Sequence, residues 1–135
     1  MPTYRRTFPG RPEEIRNARN WTRAILGGSP CVEDAALVVT ELGANALFHT
    51  ASGDEAGTFH VLLATSGEDI TISVADLGGT KTEPNVANPA EDDPHGRGLR
   101  LVTSLAYRVE IDGDDRGRTV TVHLTQAPAR PVIAC

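Results

Sequence analysis

Glu41 and Asn45 stand four residues apart in DAALVVTELGANALFHT, a run that otherwise reads as a buried helix. That spacing puts a carboxylate and an amide on one helical face, where both can address the same small object. A carboxylate can take a proton or orient a hydroxyl. An amide oxygen is a neutral, hard ligand that suits Mg²⁺, which draws one or two ligands from protein and the rest from phosphate and water. Buried polar groups need partners, so another part of the chain or a bound molecule must satisfy them. An exposed polar stripe is the plainer alternative, and His49 at its end reads as a helix cap.

Asp76 ends ITISVAD, in which Ile70, Ile72 and Val74 alternate with Thr71, Ser73 and Ala75. A period of two puts Asp76 on the side of the isoleucines, facing the core. Either it caps the turn DLGG, or it lies at the bottom of a pocket and accepts a hydrogen bond from a ligand amine. In the second case Gly78 and Gly79 let the backbone come close to that ligand. In HGRGLRLV, Gly96 and Gly98 open a helix, whose free N–H groups and positive dipole end attract phosphate. The same pair also reads as no more than a flexible helix start.

A chain of 135 residues, 39% hydrophobic, must hold these groups in place. That is enough for one domain with one core; residues 1–127 read as that domain and 128–135 as a frayed tail. Aromatics make up only 4%, which predicts a core of Val, Leu, Ile and Ala. TYRRTF (3–8) reads as a short strand and PEEIRNARNWTRAIL as a helix, started by Pro12 and two acids and stopped by Gly27 and Gly28. Ile15, Ala18, Thr22 and Ile25 share its apolar face, and Arg16, Arg19 and Arg23 form a basic stripe. The second helix runs from about 31 to 49. FHVLLATS (59–66) and DITISVAD (69–76) are strands joined by the tight turn GE. GGTKTEPNVANPAEDDPHG follows, about 19 residues without a hydrophobic period, longer than ordinary connections. RGLRLVTSLA is a short helix, and YRVEID and RTVTVHLTQ form a closing hairpin. The order strand, two helices, hairpin, loop, helix, hairpin predicts an α/β two-layer sandwich: a mixed, mainly antiparallel sheet with helices on one face.

Several classes are disfavoured. A net charge of −5 argues against direct nucleic-acid binding. No apolar run reaches membrane-span length, and the N-terminus has no export signal. Cys31 and Cys135 show no metal or redox spacing; both read as free thiols, which places the protein in a reducing cytoplasm.

Taken in order, Glu41-Leu42-x-x-Asn45-Ala46, Asp76-x-Gly78, the long loop, Gly96-Arg97-Gly98-Leu99 and GRTV resemble the GHKL ATPase superfamily and its Bergerat ATP-binding fold. The resemblance is nearest to the small anti-sigma factor serine/threonine kinases, with histidine kinases as more distant members. It implies ATP and Mg²⁺ as cofactors. Asn45 would hold Mg²⁺, Asp76 would read the adenine amino group, and Gly78 would give the base room. Gly96, Arg97, Gly98 and Leu99 would lie along the phosphates. Thr119 would support Asp76 beside the adenine, and Glu41 would be the general base for an incoming serine hydroxyl. Residues 79–95 would form a nucleotide-controlled lid, with Lys81 reaching the γ-phosphate. The implied partners are a sigma factor, an anti-anti-sigma (STAS-type) protein, or both, and relatives suggest a homodimer through the first helix and leading strand. The loop carries GGTK where many relatives have Gly-x-Gly, and His95 stands where some active kinases have a basic residue. Two functions follow: a kinase that phosphorylates the anti-anti-sigma partner, or a nucleotide-dependent anti-sigma binding module with little or no phosphotransfer.

Overall fold

A computed structural model describes residues 2–49, 57–76, 94–114 and 117–125, with residues 48, 49, 94–99 and 114 described as backbone only. The elements run β1 (Thr3–Pro9), α1 (Pro12–Leu26), α2 (Val32–His49), β2 (Thr58–Ser66), β3 (Asp69–Ala75), α3 (Pro94–Leu105), β4 (Arg108–Asp114) and β5 (Gly117–Thr125). They form one five-stranded sheet in the order β1-β2-β3-β5-β4, with α1 packed on α2, α2 on β2, β3 and β5, and α3 on α2.

The sequence order suggests a mixed sheet, yet every pairing among the described strands is antiparallel. The reason lies in the second half of the chain. β3, α3 and β4 form a crossover between parallel strands, and β5 returns through a hairpin to insert between β3 and β4. Parallel strands are therefore present but never adjacent. Gly113 allows that hairpin its tight shape: its φ is +112°, and a Cβ there would stand 2.1 Å from the Gly117 carbonyl oxygen, so no other residue fits.

Alternation along the strands separates two faces. Val61 and Leu63, Ile70, Ile72 and Val74, and Val120, Val122 and Leu124 turn inward and are buried against Val38, Val39 and Leu42 of α2 and Val102 of α3. The aliphatic core is the expected one, but it also carries an aromatic group. Phe8 stacks on Phe59 at 5.4 Å and meets the edge of Trp21 at 5.9 Å, which closes the α1 end of the core. On α1, Ala18, Thr22 and Leu26 are the buried residues. Thr22 satisfies its hydroxyl by donating to the Ala18 carbonyl at 2.9 Å. Of the basic stripe, Arg16 and Arg23 stay outside, where Arg23 pairs with Glu33 of α2 at 2.9 Å, and Arg19 is half-buried.

The cysteine expectation is corrected. Cys31 is buried at the head of α2 and disulfide-bonded, not a free thiol. Its Sγ lies 3.8 Å from the carbonyl of Thr125, where the chain leaves β5; Cys135 is outside the described residues. Cysteine usage therefore gives no ground for a reducing compartment. No described helix is long and apolar enough to cross a membrane.

Candidate functional site

α2 forms because its apolar positions 35, 38, 39, 42 and 46 recur at helical spacing and meet the sheet, while Glu33 and Asp34 occupy its first turn, where the helix dipole favours acids. This register leaves Glu41 half-buried and Asn45 only 5% exposed, beside Leu42 and Ala46. Asn45 Nδ2 donates to the Glu41 carbonyl one turn back, at 3.1 Å. That bond fixes the amide plane, and Asn45 Oδ1 is left buried with no hydrogen-bond partner. A buried acceptor in that state costs about 1–3 kcal/mol. It is a site for a donor or a cation to complete, and a neutral oxygen fits Mg²⁺. Among the described residues no cluster of three or more His, Cys, Asp or Glu could hold a metal ion.

Asp76 follows directly on β3, and its backbone prolongs the β3–β5 ladder. Its N–H donates to the Arg118 carbonyl at 2.8 Å, and its Oδ1 accepts from the Arg118 N–H at 3.2 Å. The carboxylate is thus held at the inner end of the sheet by a backbone group, half-buried and beyond Val74. Gly117 helps, because a Cβ there would press to 3.2 Å of the Asp76 carbonyl oxygen.

Thr119 is not brought to Asp76. It pairs with Ala75, and alternation turns both to the outer face. There Thr119, Ser73, Leu62, His60, Thr7 and Arg5 line a shallow hollow of about 380 Å³. The residue of the last strand that shares a side with Asp76 is Arg118, 8% exposed. Sequence reasoning passed over it, although the signal was present: counting back in twos from Leu124, Val122 and Val120 reaches Arg118.

α3 begins at Pro94, two residues before the expected glycines, so Gly96 and Gly98 lie inside its first turns and not ahead of it. The missing N–H of Pro94 is no loss at a first helical position. The first-turn N–H groups have no partner within the helix itself, and α3 packs on the helix that carries Asn45. The side chains of Arg97 and Leu99, and all of Gly78, Lys81 and the expected lid up to residue 93, lie outside what is described.

Comparison with known proteins adds an independent line. Residues 8–124 match the family described as the histidine kinase-like ATPase domain. A crystal structure of the RsbU and RsbW domains of Rv1364c from Mycobacterium tuberculosis superposes with a TM-score of 0.70 at 21% identity, over 93% of this chain and 32% of that one. This chain thus spans about a third of the solved chain. Curated proteins yield no match.

Proposed function

Since this chain belongs to the histidine kinase-like ATPase family, we propose that it is an ATP-dependent regulator of the anti-sigma factor serine/threonine kinase type. It would act on an anti-anti-sigma partner in the cytoplasm. The observation that carries this reading is the orphaned, buried Oδ1 of Asn45 one turn after Glu41. The N box resemblance implies a cation ligand and a base at those two positions.

In this reading Asp76 accepts from the exocyclic amine of adenine, and the Arg118 N–H holds the carboxylate in orientation. Guanine presents a carbonyl at that place and is rejected. The first turn of α3, with Gly96, Arg97, Gly98 and Leu99, follows the phosphates, and Lys81 reaches the γ-phosphate. Asn45 holds Mg²⁺, which when bound neutralises phosphate charge. Glu41 takes the proton of the incoming hydroxyl as its oxygen bonds to the γ-phosphorus, and ADP leaves with the electrons of the broken P–O bond.

The second reading, a nucleotide-dependent anti-sigma module with little phosphotransfer, is favoured by GGTK in the loop and His95 before the second glycine box. One experiment separates the two. The protein is loaded with Mg²⁺ and ATP or ADP and used to capture partners, which are then identified and mapped for phosphoserine and phosphothreonine. Capture of an anti-anti-sigma protein that becomes phosphorylated supports the kinase. Nucleotide-dependent capture of a sigma factor without any phosphate transfer selects the module. Absence of nucleotide binding overturns both.

A further inference from the structure

We propose that the open edge of β4 is a docking strand, to which an extended segment of a protein partner adds as a further, antiparallel strand. The segment alternates apolar with charged residues. The inference stands independently of the proposed activity.

The phase of the hydrogen bonds carries it. β4 ends the sheet and has one neighbour, β5. The Asp76 N–H donates to the Arg118 carbonyl at 2.8 Å. Bonding groups alternate along an antiparallel ladder, so in the plane of the sheet Arg118, Val120, Val122 and Leu124 bond toward β3. Thr119, Thr121 and His123 then bond toward β4, opposite Asp112, Glu110 and Arg108. The Tyr107 N–H, which donates to the His123 carbonyl at 3.1 Å, agrees with that phase. Val109 and Ile111 are left to turn their N–H and C=O groups, one of each per residue, to the open side.

Side chains set this edge apart from the other one. On β1, Phe8 is buried, Arg6 lies over its ring at 5.0 Å, and the strand ends at Pro9, which has no N–H to offer. β4 reads RVEIDGD, without proline or lysine. Ile111, on its inner face, is 43% exposed. Among the described residues, Leu101, Tyr107 and Ile111 are three of the four large apolar side chains that are exposed. A groove of about 420 Å³ lies between α3 and β4, lined by Thr103, Ala106, Tyr107, Arg108, Val109 and Ile111. Unused backbone groups beside an apolar groove are what strand addition requires.

Charge then selects the occupant. Arg108, Glu110 and Asp112 form the outer-face row of β4. Arg108 pairs with Glu110 at 3.2 Å, and His123 Nε2 meets Glu110 at 2.8 Å. Asp112 is exposed beside them. A strand opposite this row gains from a base at Asp112, a base at Glu110 and an acid at Arg108. Residues opposite Ile111 and Val109 point into the groove and are apolar. Read along the added strand, the order is base, apolar, base, apolar, acid. A second copy of β4 meets two of the three charges at best. Centred on Glu110 it sets like charges opposite each other, and centred on Val109 it leaves Asp112 opposite Ala106.

The test uses the whole chain and a synthetic peptide of that order, TRVKVET, blocked at both ends. Binding is read by fluorescence anisotropy and by hydrogen exchange at the Val109 and Ile111 amides. The peptide should bind and slow exchange at both amides by about tenfold or more. Methylating the backbone nitrogens of its two valines, which face β4, should weaken binding by about tenfold or more. Methylating those of its arginine and lysine, which face away, should change binding by less than about threefold. Val109→Pro removes an N–H that β5 does not use, so the chain should stay folded in thermal melts and lose the peptide. Asp112→Arg should weaken binding about threefold to tenfold, and a peptide with glutamate in place of its arginine should restore it. No binding at millimolar peptide, equal binding of the two methylated forms, or a folded Val109→Pro chain that binds like wild type would each overturn the proposal. So would Val109 and Ile111 amides already protected in the protein alone, whether by residues 126–135 or by a second copy.

Discussion

β5 delivers adjacent residues to two different environments. Arg118, Val120, Val122 and Leu124 turn inward; Thr119, Thr121 and His123 turn outward. On the outer face the polar atoms satisfy one another. Ser73 and Thr121 share a hydrogen bond at 3.0 Å, Thr71 and His123 one at 3.3 Å, and His123 Nε2 meets Glu110 at 2.8 Å. That contact, with Arg108 beside it, holds the Glu110 carboxyl below its ordinary range. On the inner side polar groups are few, and Asn45 Oδ1 has no protein partner. Abundant polarity that is internally paired asks for no small ligand. A buried acceptor held rigid and unpaired, as Asn45 Oδ1 is, does.

The largest effect separating the two faces should come from Glu41. Glu41→Ala is expected to lower phosphotransfer to a verified partner by about 10²–10⁴ while ATP affinity changes by no more than about threefold. Transfer assays paired with calorimetry decide this, and wild-type transfer would remove Glu41 as the base. Next is Asp76→Asn, which trades a charged acceptor for a neutral one. It should weaken ATP binding by about tenfold to a hundredfold, equivalent to about 1.5–3 kcal/mol, and erase the preference over GTP. Asn45→Ala should make ATP affinity the same with Mg²⁺ as with a chelator, where the wild type binds more tightly with Mg²⁺; a preserved metal effect would place the cation elsewhere.

Asp34 gives a smaller effect that depends on pH. Its Oδ2 is buried without a hydrogen-bond partner, and burial pushes the carboxyl up from its ordinary 3.8. The folded chain therefore keeps that proton more readily than the unfolded chain, so stability is lost as pH rises from the ordinary value through the raised one. Asp34→Asn should stabilise the protein at pH 7 by no more than about 1 kcal/mol after solvent screening. The gain should vanish near pH 3, where both side chains are neutral. Equal gains in melts at both pH values would assign the effect to packing. The smallest effect is expected at Thr119. Thr119→Val on the outer face should leave ATP affinity within about twofold, and a tenfold loss by calorimetry would mean that the two faces are not functionally separate.

Much of this was legible in the chain. Pro12, Glu13 and Glu14 with Gly27 bounded α1 to the residue, and the alternation in ITISVAD put Asp76 inside, because both signals are local. Thr119 misled because its role came with the resemblance, while the phase of its own strand pointed to Arg118. The start of α3 moved because Pro94 begins a helix better than glycine does. The bond from Asn45 to the Glu41 carbonyl could be guessed at from the four-residue spacing, but not the orphaned oxygen it leaves behind. The outward row of Arg5, Leu62, Ser73, Thr121 and Glu110 could not be read at all, since it exists only after four strand pairings fix five separate segments side by side.

The insertion of β5 between β3 and β4 bears on how such a chain can vary. The β3–β5 ladder runs from Ala75↔Thr119 to Asp69↔Thr125, so everything between, including residues 77–93, sits inside one closed loop. Closing a flexible loop depends only logarithmically on its length, and doubling it adds about 0.6 kcal/mol. Insertions or deletions between β3 and α3 should therefore be tolerated, leaving that segment open to fitting different partners. A slip of one residue in the ladder is another matter, because it would turn Asp76 to the opposite face. Length there is free to drift, and phase is not.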